Sequence, residues 1–454
     1  MRITVYITNY NYSAYVEKAI QSVLEQTFGD FELLIIDDGS TDNSRDLISQ
    51  YSEHEKVKCV FQSNKGLNRT NNIALNMARG EFIMRLDADD VLDVNALTIM
   101  NDYLLRHPEV HLVFPDYFVT DGQGEVMDVV RRNDFDDLTI LDHPAHGACT
   151  LVNRECLLDI GGYDEDFTCQ DGWDFWIKFI RKYEVANINL PLFYYRQHGS
   201  NLTTNENRLI DTRQKILSKH SNNGKRQLQT TAIIPVRGPS VDPGSVAFEK
   251  VGGKYLIDWT VDAARKASRL DQIVVTTPCH VVVEHVQEKY PDVCVLLRDK
   301  ALGYFNVNLE ATISHVIEKT EISGETSLML LYIESPFRTA KSIDAAVATM
   351  EVFEADVVVS VRPENSIIFR PTNTGLEPVR ESYSLRLERD SLFRSSGQIL
   401  LVDKTFFAET KSIIGGRVGH VLISKQESMR IRGDWDLALA NAIVGNGLID
   451  DTKE

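Results

Sequence analysis

The segment that most constrains the fold is the run EFIMRLDADD at residues 81–90. It is mostly apolar at first and ends in three carboxylates, Asp87, Asp89 and Asp90. An apolar run of this kind predicts a buried strand, and open α/β sheets bind ligands where their strands end. Two carboxylates separated by one residue suit a hard divalent cation that is shared with a substrate phosphate. The alternative is an acidic turn that only caps the next helix, because aspartate is common there.

The length and charge of the chain narrow the class of protein. At 454 residues the chain is longer than one hydrophobic core usually organises, so two domains are expected. Acidic residues outnumber basic ones by 66 to 48, which gives a formal net charge of -18. The chain also has no long cluster of lysine and arginine. Neither nucleic acid nor an anionic membrane surface is therefore expected as the main partner.

The sequence shows no targeting or membrane-spanning signal. Residues 1–9 predict a short strand that runs into polar residues, without the apolar core and cleavage site of a signal peptide. No run approaches about eighteen consecutive apolar residues, so no transmembrane helix is expected. The six cysteines are scattered without a CxxC pair, which favours free thiols in a reducing compartment. These features predict a cytoplasmic enzyme.

The first half of the chain alternates predicted strands and helices. Strands are predicted at residues 2–7, 31–36 and 57–61, and the helix predicted over 14–26 has one apolar face. The second of these strands ends in the acidic, glycine-containing turn DDGSTD at residues 37–42. Strand, turn and helix in this order are typical of a nucleotide-binding βαβ unit.

The acids of this turn predict contact with a nucleoside rather than with phosphate. Asp37 and Asp38 would repel a phosphate unless a metal ion lay between them. A carboxylate at this position is better suited to accept hydrogen bonds from a base N–H or from ribose hydroxyls. The alternative is a turn that only caps the following helix, with Thr41 or Asp42 as the N-cap residue.

Several motifs resemble those of the inverting, metal-dependent glycosyltransferases of the GT-A fold and stand in the same order as in that family. The resemblance is to enzymes like those of glycosyltransferase family 2. The motifs are TNYN at 8–11, SVLEQT at 22–27, FELLIIDDGSTD at 31–42, NKG at 64–66, ARGE at 78–81 and LDADD at 86–90. The resemblance implies a Rossmann-like α/β domain over residues 1–217. It also implies a nucleotide-sugar donor, Mn²⁺ or Mg²⁺ as cofactor, and a glycan, lipid-linked or protein-linked acceptor.

The resemblance also implies a role for individual residues. The implied sets are Thr8, Tyr10, Asp38, Asp87 and Arg196 for the donor, and Asp89 and His198 for the metal ion. For His198 a purely structural role is the alternative, because an isolated histidine is more often structural. The segment 143–149, with His143 and His146, lies where relatives line the acceptor pocket, although both histidines could equally be ordinary loop residues.

An inverting transfer needs a carboxylate that removes the proton of the attacking acceptor hydroxyl. The segment CQDGWDFW at 169–176 resembles the part of the family that carries this general base. The resemblance implies Asp171 as the base, with Asp174 as the alternative. The chain departs from the commoner family pattern at Gln170, where relatives have an acid.

The polar run SKHSNNGKRQ at 218–227 predicts a linker, placed at 218–229. Strands and helices alternate again after it, so residues 230–454 predict a second Rossmann-like α/β domain. Its motifs resemble the acylneuraminate and related sugar-acid cytidylyltransferases, which have a nucleotide-diphospho-sugar transferase fold. These motifs are AIIPVRG at 232–238, GGKYLI at 252–257, SPFRT at 335–339, ADVVVSV at 355–361 and DWDLALA at 434–440.

The chemical residues of the cytidylyltransferases are largely missing from this second domain. Val241 stands where relatives have a lysine, and Arg430 and Arg432 stand where they have two metal-binding aspartates. Arginine cannot ligate Mg²⁺, so the domain is predicted to have lost nucleotidyl transfer and to serve binding, docking or formation of a homodimer. Arg237, Arg430 and Arg432 would instead bind a phosphate or a carboxylate directly.

Three functions stay open from the sequence. The leading one is a glycosyltransferase of surface polysaccharide or glycoconjugate synthesis, acting in the cytoplasm or peripherally at the inner face of the membrane. The second is a bifunctional enzyme whose C-terminal half also activates a sialic-acid-like sugar with CTP. The third is a non-catalytic binding or scaffold protein, against which the intact aspartates of the first domain argue.

Overall fold

The computed structural model describes residues 1–131, 147–167, 171–197, 206–222, 227–304, 308–320, 322, 325–364, 366, 368–372, 375–379 and 392–449. The chain divides into two compact units. Unit 1 comprises Met1–Thr212 and Ile367–Asp390, and unit 2 comprises Arg213–Ser366 and Ser391–Glu454. Each unit is a mixed α/β structure with its own main sheet, as the sequence predicts.

The main sheet of unit 1 has nine strands among the described residues. They are β1 (Ile3–Asn9), β2 (Phe31–Asp37), β3 (Val57–Phe61), β4 (Phe82–Asp87), β5 (Val91–Leu92), β6 (Val110–Thr120), β7 (Val126–Val130), β8 (Leu151–Asn153) and β9 (Glu184–Arg196). The strand order is β3-β2-β1-β4-β8-β6-β9-β5, with β7 paired to β6. The helices are α1 (Val16–Leu24), α2 (Ser44–Ser49), α3 (Leu67–Met77), α4 (Ala96–Arg106), α5 (Arg154–Asp159), α6 (Asp171–Ile180) and the start of α7 (Glu206–Asn222).

Strands β1 to β4 of unit 1 form where the apolar runs predict them. Every residue of β2 is buried, which is expected for a parallel strand covered on both faces. The predicted apolar face of α1 is confirmed, because Val16, Ala19, Ile20 and Val23 are all buried. These side chains pack into the core with residues of β1, β2 and β4.

The carboxyl ends of β1, β2 and β4 meet at one edge of the unit 1 sheet. β1 runs parallel to β2 on one side and to β4 on the other, and Thr8 pairs with Asp87. Asn9 pairs in the same way with Asp37 at the end of β2. The segments that follow the three strands therefore emerge at the same edge, so the acids after β2 and β4 lie at one end of the sheet.

The main sheet of unit 2 has the order β14-β13-β10-β15-β19-β16-β20. The strands from β10 onward are β10 (Gln229–Pro235), β11 (Lys250–Val251), β12 (Lys254–Tyr255), β13 (Gln272–Thr277), β14 (Cys294–Leu297), β15 (Thr326–Leu331), β16 (Val357–Glu364), β17 (Phe369–Thr372), β18 (Gly375–Pro378), β19 (Leu392–Asp403) and β20 (Val418–Leu422). β11 pairs with β12, and β17 pairs with β18 in a hairpin that is grouped with unit 1.

The helices of unit 2 follow its strands. They are the remainder of α7, then α8 (Leu256–Lys266), α9 (His280–Lys289), a 3-10 helix (Lys300–Gly303), α10 (Leu309–Lys319), α11 (Ala340–Phe353), α12 (Lys404–Thr410) and α13 (Asp434–Gly445). Strands β14, β13, β10 and β15 run parallel to one another, whereas β19 is antiparallel to both β15 and β16. Four parallel strands thus end at one edge of this sheet as well.

The region of the predicted linker differs from the sequence prediction. Residues 218–222 are helical, because α7 runs to Asn222, and Gln229 already belongs to β10. The helix continues through this polar stretch since His220 and Ser221 are buried, and Ser221 donates to the buried Glu351 of unit 2. Buried polar contacts of this kind stabilise a helix that apolar periodicity does not reveal.

The sequence predicts that the chain has no transmembrane helix and that its cysteines are free thiols. Within the described ranges, no helix combines the length and the apolarity that a membrane crossing requires. Five of the six cysteines lie in these ranges and are free, as predicted, namely Cys59, Cys149, Cys156, Cys279 and Cys294. Cys169 lies outside the described residues.

Candidate active site

The turn after β2 is fixed by the carboxylate of Asp38. This side chain is buried and accepts hydrogen bonds from Gln62 Nε2 at 2.7 Å, the Lys65 N–H at 2.8 Å and the Gly66 N–H at 2.9 Å. A carboxylate has about four acceptor positions, of which three are used here. Asp38 therefore retains roughly one acceptor position for the N–H or hydroxyl of a ligand, and its predicted contact with a nucleoside stays a prediction.

The same turn is tied to the segment that follows β1. Asn9 Nδ2 donates to Asp37 Oδ1 and to Ser40 Oγ, both at 3.0 Å. Asn11 has a φ of 62°, and its Oδ1 accepts from the Thr41 N–H at 2.7 Å. These bonds lock the two segments together at the sheet edge.

Asp42 anchors the far end of the turn. Its carboxylate accepts from the Ser13 N–H at 2.9 Å and from the Ser44 N–H at 3.0 Å. Burial alone would raise the pKa of Asp42, but the hydrogen bonds from Ser44 and Ser13 lower that pKa to about 2. Asp42 is thus ionised and holds the turn, whereas the N-cap residue of α2 is Asn43 and neither Thr41 nor Asp42 as suggested. Tyr10 lies between the anchored residues, and its side chain is 46% exposed and accessible to a ligand.

The acidic turn after β4 brings together the three carboxylates of the 81–90 run. Asp87 is the last residue of β4, and its Oδ1 lies 2.9 Å from Nε of the buried Arg85. The Asp90 N–H donates to the Asp87 carbonyl oxygen at 3.1 Å, which closes a tight turn. Asp89 and Asp90 are both buried, whereas Asp87 is partly exposed. The turn does more than cap a helix, because α4 begins only at Ala96.

The electrostatics of this turn show an excess of negative charge. Burial, followed by the charges of Asp87 and Asp89, holds the pKa of Asp90 well above its ordinary value. Asp90 Oδ2 is buried and has no hydrogen-bond partner among the described residues. Burial and the same acids also raise the pKa of the Tyr12 phenol, which places Tyr12 beside the cluster. A bound cation would stabilise such a site.

Arg196 supports the acidic turn from the end of β9. Its guanidinium is buried, and Nε donates to the Asp89 carbonyl oxygen at 2.9 Å while the backbone N–H donates to Asp90 Oδ1 at 3.0 Å. The guanidinium also lies over the Tyr15 ring, with Cζ 5.1 Å from the ring centroid. In this arrangement Arg196 positions the turn, and direct contact with a donor stays a prediction.

The two candidates for the general base lie on α6. Asp171 begins this helix, and its side chain lies outside what the structure describes. Asp174 is buried, and its Oδ2 lies 2.8 Å from Lys178 Nζ, which also donates to the Gly162 carbonyl oxygen at 2.6 Å. A buried carboxylate paired with a lysine is a poor proton acceptor, so the geometry argues against Asp174, and the assignment of Asp171 stays a prediction.

Other predicted site residues fall outside the described ranges. These are His198, Gln170, His143 and His146. Among the residues that the structure does describe, no three histidine, cysteine, aspartate or glutamate side chains come together as a metal site. The metal prediction therefore stands on Asp87 and Asp89 and on the charge of their surroundings.

The structure adds residues to this site that the sequence pattern does not single out. Arg85 pairs with Asp87, Tyr12 faces the acids, and Gln62 binds Asp38. Arg85 carries a usable signal, because an arginine inside an otherwise apolar strand needs an ionic or hydrogen-bonding partner nearby. Tyr12 and Gln62 carry none, since both lie in loops where sequence periodicity gives no direction.

The three arginines predicted for the second domain line one cavity of unit 2. The cavity has a volume of about 530 Å³, and Arg237, Arg430 and Arg432 all contribute to its wall. A fourth arginine, Arg298, lies in the same wall and was not predicted. No sequence signal points to Arg298, because it follows a short strand that carries no recognisable motif.

The main sheet of unit 1 is mixed, and its parallel strands β2 and β4 end in two acidic turns at one edge, the place where open α/β sheets bind their ligands. A comparison with known protein families identifies the class of enzyme more closely. Residues 4–161 match the family described as Glycosyl transferase family 2. This part of the chain is a glycosyltransferase family 2 domain, and the chain is related to enzymes of glycosyl transfer.

Two relatives show how much of the chain is similar to known glycosyltransferases and synthases. The chain is 52% identical over 93 residues to an uncharacterised glycosyltransferase of Nostoc, which covers 20% of this chain and 29% of the relative. It is 34% identical over 206 residues to the chondroitin synthase of Escherichia coli, covering 44% of this chain and 29% of the relative. The chain therefore spans less than a third of the length of these two relatives.

A third relative and one solved structure complete the comparison. The chain is 25% identical over 206 residues to the Escherichia coli UDP-Glc:alpha-D-GlcNAc-diphosphoundecaprenol beta-1,3-glucosyltransferase, covering 45% of this chain and 80% of that enzyme. The crystal structure of S. aureus TarS in complex with UDP-GlcNAc aligns over 49% of this chain and 67% of that chain. The aligned residues are 19% identical, and the TM-score is 0.43.

Proposed function

We propose that this protein is a metal-dependent, inverting glycosyltransferase that moves a sugar from a nucleotide-sugar donor to an acceptor in surface polysaccharide or glycoconjugate synthesis. The acceptor would be a glycan or a lipid-linked or protein-linked group. The observation that carries the proposal is the meeting of Asp38, Asp87 and Asp89 at the carboxyl edge of β1, β2 and β4 in a glycosyltransferase family 2 domain. Relatives named as chondroitin synthase and O-antigen biosynthesis protein support the polysaccharide setting.

The donor nucleoside would bind at the turn after β2. Asp38 has about one acceptor position left, which suits a base N–H or a ribose hydroxyl. Thr8 lies near the end of β1 beside this turn, and the exposed ring of Tyr10 offers a surface for a base or a ribose. The three hydrogen bonds that hold Asp38 keep its carboxylate in place before the donor arrives, which reduces the entropy cost of binding.

The acidic turn fits a divalent cation. Asp90 Oδ2 has no partner among the described residues, and burial together with the neighbouring acids raises the pKa values of Asp90 and Tyr12, so a cation bound here would stabilise the ionised carboxylates. Asp89, with Asp87 and His198, would hold Mn²⁺ or Mg²⁺, the hard cations that carboxylates prefer. When bound, such an ion would neutralise the charge that develops on the diphosphate leaving group.

Asp171 would perform the proton transfer. Its carboxylate would take the proton of the acceptor hydroxyl while the hydroxyl oxygen forms a bond to the anomeric carbon of the donor sugar. The bond between that carbon and the diphosphate oxygen breaks on the opposite face, so the nucleoside diphosphate leaves and the configuration inverts. Arg196 would keep Asp89 and Asp90 in place throughout.

Unit 2 would retain a cytidylyltransferase-like fold without nucleotidyl transfer. Val241 occupies a position where that chemistry needs a lysine, and Arg430 and Arg432 stand at the positions of the metal ligands. The domain would then serve binding or assembly, including a homodimer. This part of the proposal rests on the identity of the residues rather than on any structural relative.

Release of free nucleotide tests the proposed activity. Purified protein is incubated with a panel of nucleotide sugars and Mn²⁺, and wild type is compared with Asp89→Asn. We expect slow hydrolysis of one donor and a decrease of at least about 100-fold in the variant, the magnitude typical for loss of a group that stabilises the leaving charge. Asp102→Asn, which changes an exposed acid on α4, is the matched control and should retain the wild-type rate.

Two results would contradict the proposal. Equal rates of donor hydrolysis by wild type and Asp89→Asn would show that the activity does not depend on the acidic turn. Production of pyrophosphate from CTP and a sugar acid, with no turnover of any nucleotide sugar, would place the enzymatic activity in unit 2.

A further inference from the structure

Four arginines of unit 2 converge on the cavity at the carboxyl edge of its parallel strands. Arg237 follows β10, and Arg298 comes directly after β14. Arg430 and Arg432 lie on the segment that leads into α13. The backbone N–H of Ile431 donates to the Glu334 carbonyl oxygen at 2.7 Å, which fixes this segment beside the end of β15. The fold thus brings cations from three separate parts of the sequence to one place.

The cavity carries an excess of positive charge in a strongly acidic chain. Only two acidic side chains, Asp242 and Glu334, lie among its described lining residues, opposite the four arginines. Asp242 forms an ion pair with Arg237, in which Asp242 Oδ2 lies 3.7 Å from Arg237 NH1. Because the whole chain has a formal charge of -18, this local reversal of sign indicates a site for an anion.

Arg298 is the most buried of the four cations. It is 6% exposed, and NH1 donates to the Thr276 carbonyl oxygen at 3.0 Å, while Nε has no partner among the described residues. Burial, and then the neighbouring charge of Arg237, lower the pKa of Arg298 to about 10. Holding two guanidinium groups near each other in a buried place is unfavourable, and an anion bound between them would offset that repulsion.

Gly397 leaves space for the partly buried side chain of Arg430. Gly397 has a φ of +64°, and a Cβ at this glycine would lie 2.9 Å from Arg430 NH1. A larger residue there would displace the guanidinium from its place in the wall. Arg430 Nε is also buried without a described partner, so this arginine has hydrogen-bonding capacity that its neighbours do not use.

The lining residues are poorly suited to a divalent cation. Mg²⁺ and Mn²⁺ need several oxygen ligands, and the cavity offers two carboxylates surrounded by four positive charges. Guanidinium groups bind phosphate and carboxylate directly through paired N–H donors. An anion in this cavity would therefore be recognised without a bridging metal ion.

The remaining wall is aromatic and apolar. Tyr304 and Tyr332 lie in it together with Leu302, Leu309 and Ile333. Such a wall suits the uncharged body of a ligand, because rings pack on aromatic and aliphatic side chains. The ligand is then a small molecule that carries an anionic group on a ring, rather than a free inorganic anion.

We propose that this cavity binds a phosphorylated or carboxylated ring compound through Arg237, Arg298, Arg430 and Arg432, without a divalent cation. The site is separate from the sugar transfer proposed for unit 1 and does not depend on it. Phosphate and carboxylate share the charge and the paired acceptor oxygens that the guanidinium groups require.

Calorimetric titration of the full chain tests this proposal. The probes are pyrophosphate, cytidine monophosphate and N-acetylneuraminate, each in buffer with EDTA and in buffer with Mg²⁺. We expect at least one ring compound to bind in EDTA with a Kd below about 1 mM, and Mg²⁺ to change that Kd by less than about twofold. Binding of cytidine monophosphate alone identifies phosphate as the recognised group, and binding of N-acetylneuraminate alone identifies carboxylate.

Variants connect the binding to the arginines. Arg430→Gln and the exposed Arg432→Gln should each weaken binding by about tenfold or more, the usual effect of removing a charged hydrogen-bond donor. Arg265→Gln is the matched control, because this surface arginine pairs with Asp292 at 2.8 Å and lies away from the cavity lining. Arg432→Gln changes an exposed side chain and should fold, which keeps the test decisive if a buried variant does not.

Three results would overturn the proposal. They are a failure of both ring compounds to bind, binding that appears only with Mg²⁺, and unchanged affinity in both Arg430→Gln and Arg432→Gln. Asp89→Asn in unit 1 should bind the probe as wild type does, so a failure of the proposed sugar transfer would leave this result intact.

Discussion

Arg196 contacts two consecutive residues of the acidic turn, donating from its backbone N–H to Asp90 Oδ1 at 3.0 Å and from Nε to the Asp89 carbonyl oxygen at 2.9 Å. The arginine itself is 4% exposed. One residue at the end of β9 therefore fixes both the backbone and a side chain of a turn that lies more than a hundred positions earlier in the chain. The geometry makes Arg196 a positioning residue for the predicted metal site.

Replacement of Arg196 by lysine tests this positioning role. Lysine lacks the planar guanidinium that bonds the Asp89 carbonyl and the carbonyl oxygen of Gly122, so the turn should lose its fixed conformation. We expect kcat for donor hydrolysis to fall by about 10- to 100-fold while the donor Kd changes by less than about threefold. Steady-state kinetics together with calorimetry separate the two quantities. Arg106→Lys, on an exposed part of α4, should change neither.

A different pattern would point to direct donor binding by Arg196. If the donor Kd rises by the same factor as kcat/KM falls, the guanidinium contacts the donor, as the family resemblance implies. If kcat, Kd and the melting temperature all stay at wild-type values, the contacts with Asp89 and Asp90 have no functional consequence.

The choice of general base can be tested with two neighbouring substitutions. Asp171→Asn removes the proposed proton acceptor, so we expect sugar transfer to fall by about 100- to 10,000-fold while donor binding is retained. Asp174→Asn removes the partner of Lys178 and should instead lower the free energy of unfolding, by up to about 3 kcal/mol. Activity assays and thermal unfolding of both variants make the comparison. An Asp174→Asn variant that melts like wild type but has lost transfer would reverse the assignment.

The sequence predicts the sheet edge of unit 1 well, for a physical reason. An apolar run that ends in acids gives both the strand and the end at which its side chains leave the core, and parallel strands align these ends. Asp38, Asp87 and Asp89 can therefore be placed at one edge from the sequence alone. The prediction depends only on local pattern and on the rule that βαβ units pair in parallel.

The contacts that hold these acids cannot be predicted in the same way. Arg196 reaches Asp89 through the pairing of β9 with β5, and neither the partner nor the register follows from periodicity when β5 has two residues. Gln62 and Lys65 bind Asp38 from a loop, and Lys65 does so through its backbone N–H, a group that any residue except proline supplies. The helix over residues 218–222 cannot be predicted from the hydrophobic pattern, because the buried side chains of this segment are polar. Binary patterning assigns polar residues to the surface.

A glycine in the turn after β2 should be intolerant of substitution. Gly39 has a φ of +81°, and a Cβ there would lie 2.6 Å from the Asn64 backbone nitrogen. Gly39→Ala combines backbone strain with a clash against main chain, so we expect a loss of about 2 kcal/mol or more in unfolding free energy and weaker donor binding. Gly29→Ala is the matched control, because no atom lies within 4 Å of the added carbon. Chemical denaturation of both variants checks the difference, and equal stability would show that the turn can shift away from Asn64.

The buried carboxylate of Glu32 should make unit 1 sensitive to acid. It accepts from Thr4 Oγ1 at 2.7 Å and from the Arg79 N–H at 2.8 Å, and its Oε2 lies 2.6 Å from Arg79 NH2. Burial alone would raise the pKa of Glu32, but the hydrogen bonds from Arg79 and Thr4 outweigh it and lower that pKa below its ordinary value. The folded state then binds this proton less readily than the unfolded state, so the charged form contributes stability above the ordinary glutamate pKa of about 4.3. That contribution disappears as the pH falls through the lower pKa of the folded state.

Replacement of Glu32 by glutamine measures this contribution. Glu32→Gln should be less stable than wild type by about 2 kcal/mol at pH 7 and at pH 5, with a difference that shrinks towards pH 3. Urea unfolding across this pH range measures the effect, and Glu55→Gln, at an exposed site, should show none. A difference that stays constant from pH 7 to pH 3 would mean that the shape of the side chain, and not its charge, stabilises the contact with Arg79.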